Sequence, residues 1–183
     1  MTDELIDICD ESNNLLNIQK MKSVAHKEGL WHRASHVWIY NSQGEILLQL
    51  RSKNKNLCPN QWDISAAGHV GSGEEPLESA LRETKEELGL FLSEENLDLF
   101  IVRKKHAIPG SINLKQFLYV YFFQYGGDIE GLDIQNDEVS QIKFVTLQHL
   151  EKDLKDNPTR YVPHGEYWFI IIDEIKRLLN HNS

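Results

Sequence analysis

The stretch from Gly68 to Leu90, GHVGSGEEPLESALRETKEELGL, decides the fold of this chain. It begins as a glycine-bearing loop and continues as one amphipathic helix. Pro76 suits the first helical turn, where its missing N–H costs no hydrogen bond, and Gly89 suits the C-terminal cap. Between them the residues expected to form one buried stripe recur at helical spacing. They are Leu77, Ala80, Leu81, Thr84 and Leu88.

Three glutamates share one flank of this predicted helix. Glu83, Glu86 and Glu87 stand at positions i, i+3 and i+4, and a helix that turns about 100° per residue brings them together beside the stripe. Neighbouring carboxylates repel one another, but a hard divalent cation that prefers oxygen ligands reverses this balance. A solvated acidic face is the usual interpretation of a glutamate run. It does not explain the rest of the pattern.

The whole stretch resembles the Nudix box, in which glycine, glutamate, arginine-glutamate, paired glutamates and a final glycine keep a fixed spacing. The matching residues are Gly68, Glu74, Arg82, Glu83, Glu86, Glu87, Gly89 and Leu90. Thr84 departs from the usual aliphatic residue, although its methyl group can still enter the core. The resemblance covers the chain from about Arg33 onward. It implies an α/β (α+β) fold, the Nudix-type α/β/α sandwich around a mixed β-sheet.

Patterns elsewhere in the chain agree with this fold class. Alternation in Glu4–Asp10 and Leu15–Met21, on either side of a turn, predicts an extra N-terminal β-hairpin. Further strands are predicted at 33–40, 46–50, 62–67, 97–102, 114–123 and 142–145, and helices at 23–28, 147–154 and 167–179. We therefore expect one Nudix domain over 1–183, with 1–30 as the hairpin extension and 31–183 as the Nudix core.

Composition narrows the class of partner. The chain has 183 residues and a formal net charge of −9, which disfavours nucleic acid and anionic membranes as partners. Cys9 and Cys58 are the only cysteines, and we interpret both as reduced thiols of a cytoplasmic protein without a secretory signal. The expected partner is a small-molecule diphosphate, which a bound cation can recruit. A homodimer is left open.

The Nudix resemblance implies a metal-dependent hydrolase that cleaves the diphosphate linkage of a nucleoside diphosphate derivative or a related organic diphosphate. Mg²⁺ or Mn²⁺ is the implied cofactor. Its implied ligands are the Gly68 carbonyl, Glu83, Glu86 and Glu87. Arg82 is expected to orient the carboxylates, with Glu74 as its structural counterpart. Glu86 and Glu138, the latter in a later loop, are the two candidates for the general base.

Two basic residues ahead of the box, Arg51 and Lys55, are candidate phosphate contacts, although a solvated basic loop is the simpler interpretation. Two alternatives to the hydrolase stay open. One is an isopentenyl-diphosphate isomerase-like enzyme, and the other is a non-catalytic diphosphate-binding Nudix module. An intact set of metal ligands argues against the second, since binding alone does not require it.

The wider chain also resembles isopentenyl-diphosphate isomerase, a Nudix-fold relative in which three histidines bind a metal together with two glutamates. The matching histidines here are His26, His32 and His69. The catalytic cysteine of the isomerase falls at Ala67 and its catalytic glutamate near Gln116, and neither residue can transfer the protons that isomerisation requires. We therefore expect hydrolase chemistry, with the three histidines as hydrogen-bonded structural residues.

Overall fold

The computed structural model describes residues 3–108, 112–135 and 137–181. The strands in this part of the chain are β1 (Leu5–Cys9), β2 (Leu15–Met21), β3 (Trp31–Tyr40), β4 (Glu45–Arg51), β5 (Trp62–Asp63), β6 (Ala66–His69), β7 (Asp98–Ala107), β8 (Leu114–Gln124) and β9 (Val139–Thr146). The helices are α1 (Lys22–Glu28), α2 (Pro76–Leu88), α3 (Leu147–Asp156) and α4 (Tyr167–His181). This arrangement confirms the predicted α/β class. Among the helices described, none has the length and apolar character needed to span a membrane.

The strands and helices fall into two compact units. The first unit takes the described residues of Met1–Val37, Ala66–Lys85 and Phe91–Phe122, and the second takes those of Trp38–Ser65, Glu86–Leu90 and Phe123–Ser183. Strand β3 and helix α2 therefore contribute residues to both units. The assignment of a single domain to the whole chain stays a prediction.

In the first unit, the N-terminal hairpin is confirmed. Strands β1 and β2 pair antiparallel, with Ile8 opposite Ile18. The carboxylate of Asp10 closes the turn by accepting the backbone N–H groups of Ser12 at 2.8 Å and Asn14 at 2.9 Å. Such local side-chain hydrogen bonds are the reason that aspartate favours turns.

The short strand β6 positions the start of the glycine-bearing loop. It pairs antiparallel with β3, so that Gly68 lies opposite Ser35. The hydroxyl groups of Ser35 and Ser79 are hydrogen bonded at 2.9 Å, and Ser79 also donates to the carbonyl oxygen of His69 at 3.1 Å. These bonds attach the beginning of α2 to strands β3 and β6.

Helix α2 has the predicted bounds, and its apolar stripe is largely confirmed. Ala80, Thr84 and Leu88 are buried, whereas Leu77 and Leu81 are partly buried. Thr84 is tolerated at a core position because its hydroxyl donates to the carbonyl oxygen of Ala80 at 2.7 Å.

The glycine that ends α2 is required by its backbone conformation. Gly89 follows the helix with a φ of +65°, which side chains disfavour. A Cβ atom at this position would also meet the backbone nitrogen of Asp133 at 2.9 Å and its oxygen at 2.8 Å. The chain can therefore leave the helix here only with glycine.

In the second unit, β4 pairs along its whole length with β9, from Glu45 opposite Thr146 to Arg51 opposite Val139. It also pairs with β5. The indole of Trp38 donates to the hydroxyl of Tyr167 on α4 at 2.9 Å. The apolar side of α4 is buried at Trp168, Ile171, Ile172 and Ile175.

One predicted strand is wrong in detail. Residues 62–67 form two strands, β5 and β6, rather than one. In the second unit, β5 pairs with β4, and Ser65 accepts the N–H of Ile39 at 2.9 Å and donates to the carbonyl oxygen of Leu47 at 2.6 Å. The side chain of Ser65 thus replaces a backbone ladder where the strand is interrupted. Nothing in the local composition distinguishes this interruption from a continuous strand.

Strand β7 is longer than the sequence predicted. It continues through Arg103-Lys104-Lys105-His106 to Ala107 and pairs with β8 along this extension. This polar run lacks the alternation of apolar residues that predicts a strand, so the extension was not predicted from the sequence. Pairing with the apolar β8 supplies the missing stabilisation.

A buried aspartate in the second unit joins three distant segments. Asp63 on β5 is 4% exposed, and its carboxylate accepts from Nε2 of His164 at 2.7 Å and from the guanidinium of Arg51 at 2.9 Å. Burial alone would raise the pKa of Asp63, but the charge and hydrogen bond of His164 and the charge of Arg51 lower it. The carboxylate is therefore held ionised.

We predict that Asp63→Asn destabilises the protein by about 3 kcal/mol, because it removes one partner of a buried, hydrogen-bonded ion pair. Urea unfolding followed by circular dichroism measures the change. The matched control is Asp156→Asn at the exposed end of α3, for which a change within about 0.5 kcal/mol is expected. Equal unfolding midpoints for the two variants would contradict the prediction.

Candidate active site

Gly68, at the start of the glycine-bearing loop, lies against the side chain of Glu83 on α2. A Cβ atom built on Gly68 would overlap the carboxylate group of Glu83. A larger residue at position 68 would therefore displace the Glu83 side chain from its present position. The contact brings the backbone at position 68 together with a carboxylate that is itself buried, with an exposed fraction of 9%. These are two of the predicted metal ligands.

Arg82 compensates the buried charge of Glu83. Its NH1 group donates to Glu83 at 2.7 Å, while Nε and NH2 donate to the two carboxylate oxygens of Glu74 at 2.8 Å and 3.0 Å. NH2 also donates to the carbonyl oxygen of His69 at 3.1 Å. Two carboxylates and one backbone carbonyl thus share a single planar guanidinium, a geometry that lysine could not provide.

Glu74 is fixed from the loop side as well. It accepts the N–H of Gly71 at 2.8 Å. Burial would raise the pKa of Glu74, but the hydrogen bonds from Arg82 and Gly71 lower it overall, and the hydrogen bond to Glu74 raises the pKa of Arg82. Both groups are therefore charged at neutral pH. The predicted pairing of Glu74 with Arg82 is present in the geometry.

A second cluster, in the second unit, surrounds Glu87 at the end of α2. Glu87 is 2% exposed, and its Oε2 accepts from the amide nitrogen of Gln49 at 3.1 Å. Its Oε1 lies 4.0 Å from the ammonium nitrogen of Lys55, which also forms an ion pair with Glu138. Lys55 and Glu138 were both predicted from the sequence as functional residues. In the structure Lys55 lies between Glu138 and Glu87, which is a predicted metal ligand.

Backbone hydrogen bonds hold the segments of this second cluster together. The N–H of Ser52 donates to the carbonyl oxygen of Glu138 at 2.9 Å, and the N–H of Gln135 donates to the carbonyl oxygen of Glu87 at 3.1 Å. The loop after β4 and the loop before β9 are therefore positioned independently of the charges that they carry.

The remaining predicted residues differ in their surroundings. Glu86 is exposed, unlike its two neighbours in the trio. Arg51, predicted as a phosphate contact, donates its NH1 to Asp63 and its Nε to the carbonyl oxygen of Leu57 at 3.1 Å. Arg51 thus holds the loop that follows β4, while Lys55 on that loop reaches the carboxylates.

Three histidines, expected as structural residues, lie together in the first unit. Ligand nitrogens of His26, His32 and His69 are all within 4.8 Å of one another. The Nε2 atoms of His26 and His69 are 3.2 Å apart, and the amide nitrogen of Gln116 lies 3.3 Å from the same His69 atom. The arrangement could hold a cation that favours imidazole, such as Zn²⁺.

The environment keeps these histidines neutral. Burial lowers the pKa of His32 to about 4, and burial likewise lowers the pKa values of His26 and His69. Since Nδ1–H of His32 donates to the carbonyl oxygen of Leu30 at 2.9 Å, the neutral ring carries its lone pair on Nε2. That Nε2 atom is buried and has no hydrogen-bond partner in the described part of the chain.

Sequence reasoning missed two groups around these clusters. Gln49 is a single amide within the apolar run ILLQL, and this interruption was a usable signal. The pair Asp63 and His164 had none, because the two residues are 101 positions apart and neither belongs to a motif. Only the tertiary structure reveals their contact.

Comparisons with known proteins identify the family of this chain. The NUDIX domain family matches residues 30–164. A protein named Nudix hydrolase 3 from Arabidopsis thaliana is 34% identical over 175 residues, which are 91% of this chain but 23% of that protein. An uncharacterised Nudix hydrolase from Clostridium acetobutylicum is 31% identical over 181 residues, which cover 97% of this chain and 85% of that protein.

Other relatives are isomerases. The isopentenyl-diphosphate Delta-isomerase of Serratia proteamaculans is 29% identical over 170 residues, 93% of this chain and 89% of that protein. Among solved structures, DR0079 from Deinococcus radiodurans has a TM-score of 0.69 at 22% identity, with 95% of this chain and 98% of that chain covered. That likeness shows the fold. Because the family match spans most of the sequence, this chain belongs to the Nudix hydrolase family.

Proposed function

We propose that this Nudix protein is a metal-dependent hydrolase that cleaves the diphosphate linkage of a nucleoside diphosphate derivative or a related organic diphosphate. The proposed cofactor is Mg²⁺ or Mn²⁺. The observation that carries the proposal is the tight contact between Gly68 and the carboxylate of Glu83, at the start of a helix flank with two further glutamates.

The residues present fit such a cation. The proposed donors are the carbonyl oxygen of Gly68 and the carboxylates of Glu83, Glu86 and Glu87, and oxygen is the ligand atom that Mg²⁺ and Mn²⁺ prefer. A glycine at position 68 leaves no side chain between the backbone and the carboxylate. When bound, the cation supplies charge neutralisation at the phosphates and a more acidic water.

The protein groups have separate proposed roles. Arg82 positions Glu83 through the hydrogen bond described above, and Glu74 in turn holds Arg82. The general base is either Glu86, which is exposed, or Glu138, which is paired with Lys55. Lys55 and Arg51 are the proposed phosphate contacts. Of these two, Lys55 is the one placed beside the carboxylates.

The proposed substrate is a small molecule rather than a polymer. A net charge of −9 disfavours the binding of polyanions, whereas bound cations act locally on a short diphosphate. We further propose a cytoplasmic location, where Cys9 and Cys58 are expected to stay reduced. A homodimer is left to measurement of the oligomeric state.

The isomerase alternative is disfavoured by two residues near the histidines. Ala67 lies on β6 beside Gly68 and has no thiol to give or take a proton. Gln116 directs its amide to His69, and an amide cannot act as a carboxylate base. The non-catalytic module is disfavoured because it does not need a complete set of carboxylates.

We predict that hydrolysis requires a divalent cation and the carboxylate of Glu86. A panel of nucleoside, sugar and prenyl diphosphates, with phosphate release and mass detection, first identifies a cleaved substrate. Chelation should abolish its turnover, and Mg²⁺ or Mn²⁺ should restore it. Glu86→Gln keeps the side-chain shape but removes one charge, so turnover should fall by at least ~10²-fold.

The control for this prediction is Glu78→Gln, the same substitution at an exposed position earlier on α2. It should leave turnover and melting temperature nearly unchanged. Glu86→Gln should also melt normally, because the position lies outside the buried stripe. Near-normal turnover of Glu86→Gln, or full turnover of the wild type in chelator, would refute the metal-site proposal.

We also predict that the protein does not convert isopentenyl diphosphate to dimethylallyl diphosphate, since Ala67 and Gln116 cannot move the protons. Chromatography with mass detection separates the isomers and also records any cleavage to the monophosphate. An authentic isomerase serves as the positive control under the same conditions. Isomer formation by the wild-type chain at a comparable rate would favour the isomerase alternative.

A further inference from the structure

Lys55 occupies an unusual position for a residue expected to bind phosphate. Its side chain is 10% exposed, and it lies against two carboxylates, Glu87 and Glu138, which are 2% and 23% exposed. Gln49 binds the Oε2 atom of Glu87, so the Oε1 atom of that carboxylate is the one turned toward Lys55. The ammonium group therefore faces the oxygen atoms that the proposed cation would need.

We propose that Lys55 is an internal counter-ion of the metal site: it pairs with Glu87 and Glu138 in the metal-free protein and is released toward the diphosphate when a divalent cation binds those carboxylates. The proposal rests on the proposed function. It assigns to one side chain two alternative partners, carboxylate and phosphate.

The need for a counter-ion follows from burial. A carboxylate as buried as Glu87 is unfavourable without a compensating charge, and the other glutamates of α2 add repulsion. A lysine ammonium supplies one positive charge and a divalent cation supplies two. Both cannot approach the same oxygen atoms closely, because their charges repel each other at contact distance. Binding of the cation therefore favours departure of the ammonium.

The chain around Lys55 allows this departure. Lys55 lies between β4 and β5, in a loop without regular secondary structure. Its ammonium group is carried at the end of a flexible chain of four methylene groups. A free ammonium is an effective phosphate ligand. Release would thus add a positive charge for the substrate only when the cation is present, which links substrate binding to metal binding.

Arg51 does not have the same freedom. Its guanidinium is bound to Asp63 and to the carbonyl oxygen of Leu57, so it stabilises the loop rather than exchanging partners. Lys53, two residues before Lys55, is exposed. It is a matched control, with the same chemistry in the same loop but outside the cluster.

The test measures the amine reactivity of both lysines in the wild-type protein. Brief acetylation, followed by peptide mass spectrometry, is carried out in EDTA, in MgCl₂ and in MnCl₂. In EDTA, Lys55 should react more slowly than Lys53. On addition of either metal, Lys55 should react roughly 5- to 10-fold faster, as loss of a charge-assisted hydrogen bond implies, while Lys53 should be unchanged.

Metal affinity provides the second measurement. The electron paramagnetic resonance signal of free Mn²⁺ reports binding to the wild type, Lys55→Met and Lys53→Met. Lys55→Met should bind Mn²⁺ several-fold more tightly, because no internal cation competes for the carboxylates, and Lys53→Met should match the wild type. An affinity gain alone would also arise if Lys55 stayed in place, so the reactivity result is the decisive one.

The outcomes separate the two proposals. If Mn²⁺ binds and Lys55 is equally protected with and without metal, the counter-ion inference is wrong and the hydrolase proposal stands. Equal Mn²⁺ affinities of Lys55→Met and Lys53→Met also overturn the inference. If the wild type binds neither metal at millimolar concentration, the metal site itself is refuted, and the inference falls with it.

Discussion

The close approach of the Gly68 backbone to the carboxylate of Glu83 is the constraint on which the candidate site depends. A side chain at position 68 would collide with this carboxylate, so glycine lets Glu83 keep its place against β6. The approach also buries a negative charge. Arg82, held in turn by Glu74, compensates that charge, so Gly68, Glu74, Arg82 and Glu83 form one interdependent group within a single stretch of sequence.

The second cluster, around Glu87, also compensates the charge of a buried glutamate, but with different partners. Glu87 is even more buried than Glu83, but its partners are a neutral amide from Gln49 and an ammonium from Lys55. A rigid guanidinium fork holds its partners in one geometry, whereas a lysine stem does not. The difference suits a structural role for Arg82 and an exchangeable role for Lys55.

The fold was largely predictable where its signals are local. The hairpin, α1, α2 and α4 follow from turn residues, caps and helical periodicity, and their bounds in the structure lie close to those predicted. The division of residues 62–67 into two strands and the extension of β7 were not predictable. Both features depend on how the strands pair. Neither the polar extension of β7 nor the break between β5 and β6 produces a periodic pattern in the sequence.

For the candidate site, the sequence by itself determined the helix, its three glutamates and the Gly68, Glu74 and Arg82 pattern, because all of them lie within one local stretch. Only the tertiary structure decided that Lys55 faces Glu87 and Glu138, that Asp63 meets His164, and that the ligand nitrogens of His26, His32 and His69 lie within 4.8 Å of one another. These contacts join residues far apart in the chain. Their distances are set by the pairing and packing of separate strands, helices and loops, which no spacing along the sequence encodes.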